Sequence, residues 1–436
     1  VNGHVDVKQY DANKKFRTPI LPFNDLKSEM PKGTKDLLTE IGRDAFVKQI
    51  RADKQIHYTD TTYRDAHQSL VATRVRTKDI LAVANGFARN NPQFLSSEVW
   101  GGATFDVALR FLHECPWERL EKLRVAMPNT LLQMLFRGSN AVGYSAYPRN
   151  IVQKFIEQAW EKGVDVFRIF DSLNNLDSML PAINFVVNNT QGIAQPSICY
   201  TGDVLRTENN KYNLEYYVTL AKKLEDAGAH MLAIKDMAGL LKPQAAELLI
   251  PALRDAVQIP IALHTHDTAG TQVATYLKAI QSGIDSIDCA VASFSGTTSQ
   301  PNLNSMVALM QGDARERKMD LNSLNEYSNY WESVREMYYP FESDLKSATA
   351  EVYENEIPGG QYSNLRQQAE GVGLGDKLAT IKSNYKNVNE LFGDIVKVTP
   401  SSKVVGDMAL FMTANNLTAA DVLDKEQNHS FPSSVV

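Results

Sequence analysis

Residues 231–267 read MLAIKDMAGLLKPQAAELLIPALRDAVQIPIALHTHD, and this stretch decides the fold. A short β-rich segment, 231–237, is followed by a helical pattern over 242–257 and a second β-rich segment, 261–267. Both strands begin apolar and end polar, one at Lys235-Asp236 and the other at His264-Thr265-His266. Strand, helix, strand is a βαβ unit on a parallel sheet. Working outward, β-rich segments recur at 57–62, 96–102, 129–138, 164–171, 197–203 and 286–293. Helices are predicted between them over 79–89, 104–124, 148–162, 176–189, 213–228 and 270–283. Eight such units in about 250 residues fit a (β/α)8 TIM barrel better than a doubly wound sheet. Polar residues also gather at successive strand ends: Asp60, Glu98, Arg137, Asp171, Asp203, Lys235, His264 and Ser293. Barrel enzymes carry their chemistry on that rim, and a plain scaffold has no reason to concentrate polar groups there.

The flanks are different. Residues 1–56 form an arm rich in turn residues and a lead-in helix at 35–55; residues 57–312 make the barrel. From 313 to 436 the alternation stops and a helical cap is expected, with helices at 322–355, 362–385, 386–393 and 404–415 and a break at Pro358-Gly359-Gly360. Gly371-Val372-Gly373-Leu374-Gly375 follows no strand and reads as a loop, not a dinucleotide fingerprint. The chain starts at Val1 without a methionine and stops in polar sequence, as a piece cut from a longer protein would.

The 436 residues hold 45 basic and 51 acidic side chains, a net charge of −6. That balance argues against nucleic acid, which demands a strongly basic face. No apolar run reaches the ~18 residues of a membrane helix, and no signal segment opens the chain. Three scattered cysteines, Cys115, Cys199 and Cys289, suit free thiols in a reducing compartment.

On a strand, residues i and i+2 share a face, so His264 and His266 enter the barrel mouth together. Asp65, just past the first strand, adds a carboxylate on the same rim. Asp with two His is a donor set for zinc, manganese or iron. Lys235 admits three readings: a partner for a substrate anion, a lysine with its head in solvent, or an amine carboxylated to an anionic carbamate that ligates metal. Arg64, Gln68 and Arg137 supply charge and hydrogen bonds; Arg137 reads either as a fork for a small carboxylate or as a salt-bridge partner of Asp171. The rim as a whole suits a keto acid whose enolate a metal stabilises.

Longer blocks carry a resemblance. Thr59-Asp60-Thr61-Thr62-Tyr63-Arg64-Asp65-Ala66-His67-Gln68-Ser69-Leu70 resembles the first-strand signature of biotin-dependent carboxyltransferases acting on keto acids. Trp100 to Asp106 (WGGATFD), Phe167 to Asp171 (FRIFD), Ile234 to Gly239 (IKDMAG) and Leu263 to Thr268 (LHTHDT) follow in that family's order. So do Pro358 to Asn364 (PGGQYSN) and Thr399 to Lys403 (TPSSK). The lead-in Pro31-Lys32-Gly33-Thr34-Lys35 is similar to the linker of the pyruvate carboxylase branch.

The resemblance implies that Asp65, His264, His266 and a carboxylated Lys235 ligate Mn2+ or Zn2+. It implies that Arg137 binds the pyruvate carboxylate, with Arg64 and Gln68 near the reacting groups, and that Thr399 shuttles a proton. Asp106, Tyr144, Ser402 and Lys403 match positions of the biotin pocket. No Ala-Met-Lys-Met biotinylation motif and no ATP-binding domain are present. Biotin would therefore arrive on another domain, from a biotin carboxyl carrier charged by a biotin carboxylase. The implied reaction is carboxyl transfer from carboxybiotin to pyruvate, giving oxaloacetate. The implied assembly is a homo-oligomer in the cytoplasm, or in the mitochondrial matrix of a eukaryote. The alternatives are the carboxyltransferase subunit of oxaloacetate decarboxylase or transcarboxylase, and a metal-dependent aldol or Claisen lyase.

Overall fold

The computed structural model describes residues 10–206, 211–342 and 345–436; residues 1–9 of the expected arm lie outside them. The barrel strands are β1 (His57–Asp60), β2 (Ser96–Gly101), β3 (Leu132–Phe136) and β4 (Val166–Ile169), then β5 (Ile193–Cys199), β6 (Leu232–Asp236), β7 (Ile261–Thr265) and β8 (Ser286–Cys289). Each lies parallel to the next, and β8 pairs back onto β1, so the sheet closes with no free edge. The helices between strands fall close to the predicted ones, as at Thr77–Asn90 and Pro243–Ala256.

Parallel strands in register send paired residues to the same face. Cys199 pairs with Lys235, and Lys235 with His264, so these three side chains point into the barrel together. The interior they join is polar: Thr59 Oγ1 and Ser96 Oγ lie 2.9 Å apart, and Arg168 and Asp288 are buried with Gln195. Between Glu98 and Trp100 the β2–β3 register slips, a bulge of the kind that re-aims side chains beside sites. The outward Trp100 packs with Phe105, Trp117 and Phe155.

The N-terminal end is plugged. The lead-in expected as one helix is two, Thr34–Ile41 and Arg43–Ala52, parted at Gly42, whose φ of 80° is left-handed. Their Leu38, Phe46, Val47 and Ile50 pack on Leu95, Leu131, Val166, Ile193 and Met231 at the strand starts. The arm before them runs along the helix Leu321–Met337, with Arg17 held by Glu332 and Glu336.

Several boundaries differ from expectation, each for a local reason. β5 starts at Ile193, not 197: residues 193–196 pair with β4 and 197–199 with β6, so Pro196 falls where the pairing passes from one neighbour to the other. The helix predicted over 104–124 is broken by a π-turn, Ala108–Leu112, and restarts at Pro116. The helix predicted over 322–355 ends at Met337, just before Pro340, which has no N–H to continue it. The cap's longer helices after it are Gly359–Gly371, Leu378–Leu391 and Ser401–Ala414, with short ones at Val352–Asn355 and Ala419–Leu423. The Gly371–Gly375 loop separates the first two, so the helices expected at 362–385 and 386–393 are redistributed. Ile357, Leu365, Ile381, Tyr385, Val405 and Met408 form a hydrophobic cluster of their own, apart from the barrel's. No helix among the described residues is long and apolar enough to cross a membrane.

Candidate active site

The chain leaves β1 through a π-turn, Thr62–Ala66, then the short helix His67–Val71. Asp60 sets this turn: its Oδ1 accepts the Thr62 N–H at 3.0 Å and the Thr62 hydroxyl at 2.5 Å. π-turns of this kind cluster at functional sites, and this one delivers Arg64 and Asp65 into the mouth, both buried. After β6, Asp236 plays a comparable part by accepting the N–H groups of Gly239, Leu240 and Leu241. Gly239 has φ of 76°, and a Cβ there would lie 2.4 Å from His266 O, so the β6 and β7 loops meet only because it is glycine.

Asp65 Oδ2 lies 3.2 Å from Nε2 of His264 and 3.2 Å from Nε2 of His266, and the two nitrogens are 3.2 Å apart. The other ring nitrogens define the tautomers. His266 Nδ1 is 2.6 Å from the carbonyl of Thr298, which only accepts, so Nδ1 carries the proton. His264 Nδ1 lies 2.8 Å from the buried carboxylate of Asp288. Both Nε2 atoms therefore face the Asp65 oxygen as bare lone pairs. Ligands about 2.0–2.2 Å from a zinc-sized ion stand about 3.0–3.5 Å apart, so the donors present fit a divalent cation in chemistry and spacing. Burial pushes the Asp65 carboxyl up, but the adjacent Arg64 guanidinium opposes it, and the group is held well below the usual range. Asp288, beside Arg168 and His264, is likewise held down, at about 2, against burial.

Lys235 is buried beside this triad, with Nζ 5.9 Å from the centre of the Phe170 ring. Among the described residues it has no hydrogen bond or carboxylate partner, and burial lowers its pKa. The reading with its head in solvent is thereby removed. Both terminal nitrogens of Arg64 are engaged, Nη1 by Asp65 at 2.7 Å and by Gln68 Oε1 at 3.0 Å, and Nη2 by Glu98. Arg137 is not paired with Asp171, whose Oδ1 accepts the N–H groups of Leu173 and Asn175. Its Nη1 donates to the carbonyls of Val142 and Gly143, its guanidinium lies 4.9 Å from the Tyr144 ring centre, and among the described residues it has no carboxylate partner. Gly102 makes room for it: a Cβ there would come within 2.8 Å of the guanidinium.

A cavity of about 310 Å³ joins these groups; Arg64, Asp65, Gln68, Arg137, Lys235 and His266 line it from the barrel, and Thr399 and Ser402 from the cap. His264 is buried behind its wall. Thr399 is exposed; the helix after it starts at Ser401, three residues earlier than expected, with Pro400 at its N-cap and no side-chain cap bond. Thr399 therefore caps nothing. The cavity walls do not include Asp106, which bonds Arg110 at 3.2 Å, Tyr144, which is 56% exposed, or Lys403, which pairs with Asp407. Sequence reasoning missed Asp288 and Gln300. Gln300 donates to Asp65 Oδ2 at 2.7 Å and accepts from Thr61 at 2.8 Å. An acid inside the small-residue strand SIDC was a signal for Asp288; Gln300 sits in a loop and gave none.

Fold and site together define a class: (β/α)8 barrels whose rim joins a triad able to hold a cation to an arginine without a carboxylate partner among the described residues. Comparison with known proteins narrows it. A family profile described as "HMGL-like" matches residues 202–330, and one described as "Conserved carboxylase domain" matches residues 352–436. The pyruvate carboxylases of Bacillus subtilis and Staphylococcus aureus are 54% and 55% identical over 97% and 100% of this chain. The chain spans 37% and 38% of their lengths. The carboxyl transferase domain of Rhizobium etli pyruvate carboxylase, solved with pyruvate and biocytin, superposes with a TM-score of 0.96 at 48% identity. That match covers 100% of this chain and 73% of the solved one. The chain belongs to the pyruvate carboxylase family, where it matches the carboxyl transferase part.

Proposed function

We propose that this chain transfers a carboxyl group from biotin, carried by another domain, to pyruvate, producing oxaloacetate. The observation that carries this reading is the cavity in which Asp65, Lys235, His266, Arg137 and Thr399 meet. Asp65, His264 and His266 would hold Mn2+ or Zn2+, with Lys235 as fourth ligand once carboxylated. A buried amine with no ion-pair partner among the described residues and a pKa lowered by burial favours that modification over a free ammonium, which would repel the ion. When bound, the cation supplies positive charge beside the substrate's keto oxygen.

Arg137 binds the pyruvate carboxylate, and the carbonyls of Val142 and Gly143 keep its guanidinium aimed at the cavity. Orientation of this kind brings reacting atoms together as if intramolecular. The Thr399 hydroxyl, without a hydrogen-bond partner among the described residues, would accept a proton from the pyruvate methyl as it gives its own to the biotin ring that has released its carboxyl group as CO2, and the pyruvate enolate so formed would take up that CO2. One oxygen can do both. Gln68, with its Oε1 held by Arg64, presents its amide to the same space. Arg64 acts on the reaction while locking the π-turn. Ser402 with Asp106, Tyr144 and Lys403 would receive the biotin ring over the rim.

The partners under this reading are a biotin carboxylase and a carrier domain, within a homo-oligomer. Three free cysteines fit a reducing compartment, the cytoplasm or a mitochondrial matrix. The test is oxaloacetate decarboxylation by the purified chain with and without free biotin. Stimulation by biotin is expected; a rate indifferent to biotin would favour the metal-dependent lyase reading instead.

A further inference from the structure

The Phe167-Arg168-Ile169-Phe170-Asp171 block has no part in the mechanism above, yet its arginine is among the most deeply buried in the molecule. Arg168 starts on β4 and crosses the barrel interior to β8, four strands away whichever way the closed sheet is counted. Its Nε donates to Gln195 Oε1 on β5 at 2.8 Å, and its Nη2 to Asp288 Oδ1 at 3.1 Å. Its Nη1 donates to Asp288 Oδ2. That same Oδ2 accepts from His264 Nδ1 at 2.8 Å. The chain of contacts runs Gln195, Arg168, Asp288, His264 and ends at an Nε2 lone pair aimed at Asp65 Oδ2.

We infer that Arg168 and Asp288 are positioning residues for the cation site: the pair fixes the tautomer and the ring plane of His264, and so sets how tightly the ion is held. The inference rests on the metal reading given above. Three features support it. The pair is anchored on strands opposite each other, so its geometry follows barrel closure and not a loop. A carboxylate fixed in place by a two-pronged guanidinium accepts the imidazole N–H more strongly than a neutral group would. Carboxylates behind metal-bound histidines raise ligand basicity, and their loss costs affinity. His266 has only a backbone carbonyl in the corresponding place, so of the two histidines His264 is the one tuned by charge.

The test is a double-mutant cycle read by Zn2+ affinity of the metal-stripped chain, from competition with a chromophoric chelator. Removing one partner would leave the other as a buried unpaired charge and endanger the fold. The main variant is therefore the neutral pair Arg168→Gln/Asp288→Asn, with fold checked by circular dichroism; Arg168→Lys, which keeps the charge and loses the fork, serves if the neutral pair does not fold. The neutral pair should bind Zn2+ about 10- to 100-fold more weakly than wild type. In a His264→Ala background, already weakened, the same change should have no further effect, because the pair acts through that ring. Unchanged affinity in a folded neutral pair, or an equal loss in both backgrounds, would overturn the inference while leaving the metal reading intact. Wild-type affinity that His264→Ala does not lower would overturn the metal reading and this inference with it.

Discussion

Arg137 and Asp60 show what burial does to single charges in this mouth. Arg137 keeps a guanidinium in the cavity with backbone carbonyls as its partners. Lysine at that position would retain the charge and lose the fork. Arg137→Lys is expected to raise KM for oxaloacetate by roughly 10- to 100-fold, the worth of one charge-assisted hydrogen bond; unchanged KM would make Arg137 a structural residue. Asp60 has the opposite difficulty. Burial raises its pKa from 3.8 to about 7, against the pull of its Thr62 hydrogen bonds. The unfolded chain then gives up this proton first, so stability from Asp60 is full below about pH 4 and is lost as pH rises through about 7. Asp60→Asn should accordingly be more stable than wild type at pH 8, by on the order of 1 kcal/mol, with the advantage fading toward pH 4. Urea unfolding at both pH values measures it, and a pH-independent difference would contradict the assignment.

At the scale of elements, the segment 396–402 decides whether the cap takes part in the chemistry. Ser401 Oγ pins it from within, bonding Val396 O at 2.6 Å and Val398 O at 2.7 Å, while Lys397 ties it to Glu356 at 2.7 Å. Thr399 stands between these anchors with its hydroxyl on the cavity. Thr399→Ala should reduce biotin-stimulated decarboxylation to near background with the thermal midpoint little changed, and Thr399→Ser should retain measurable turnover. If the hydroxyl were a helix cap, alanine would instead cost about 1 kcal/mol of stability and spare turnover. Assaying rate and midpoint on the same three samples separates the two. The TPSSK block is read from sequence as chemically important only through resemblance, since a threonine beside a proline has no periodicity or charge to mark it.

Across the whole molecule, one large hydrophobic cluster fills the barrel and reaches Val396 and Val398, while a smaller one lies within the cap. Asp65, His264 and His266, the donors that could hold a cation, all belong to the barrel, whereas Thr399 and Ser402 belong to the cap. Damage to the cap should thus separate metal binding from turnover. Tyr385 is fully buried in the cap cluster, and Tyr385→Ala is expected to cost ~3–5 kcal/mol there. Metal content per chain should stay at the wild-type level. Turnover should fall on the order of 100-fold, as displacement of a reacting group by about 1 Å does. Elemental analysis and the decarboxylation assay check the two halves; loss of metal would show that the cap supports the triad as well.

The sequence by itself determined the barrel, because strand and helix periods are local and the polar strand ends recur with every unit. It also determined the His264 and His266 pair, since two residues apart on a strand is one face in any parallel sheet. Helix ends in the cap were less legible: Pro340 and the Gly371–Gly375 loop act on hydrogen bonds that an apolar period does not register. Barrel closure alone decided what stands behind the ligands. Arg168 and Asp288 are 120 residues apart, and only registers summed around eight strands place them across one interior. The tertiary structure likewise brought Gln300 to Asp65 and Thr399 to Arg137, because loops and a separate cap carry no period that fixes where they end in space.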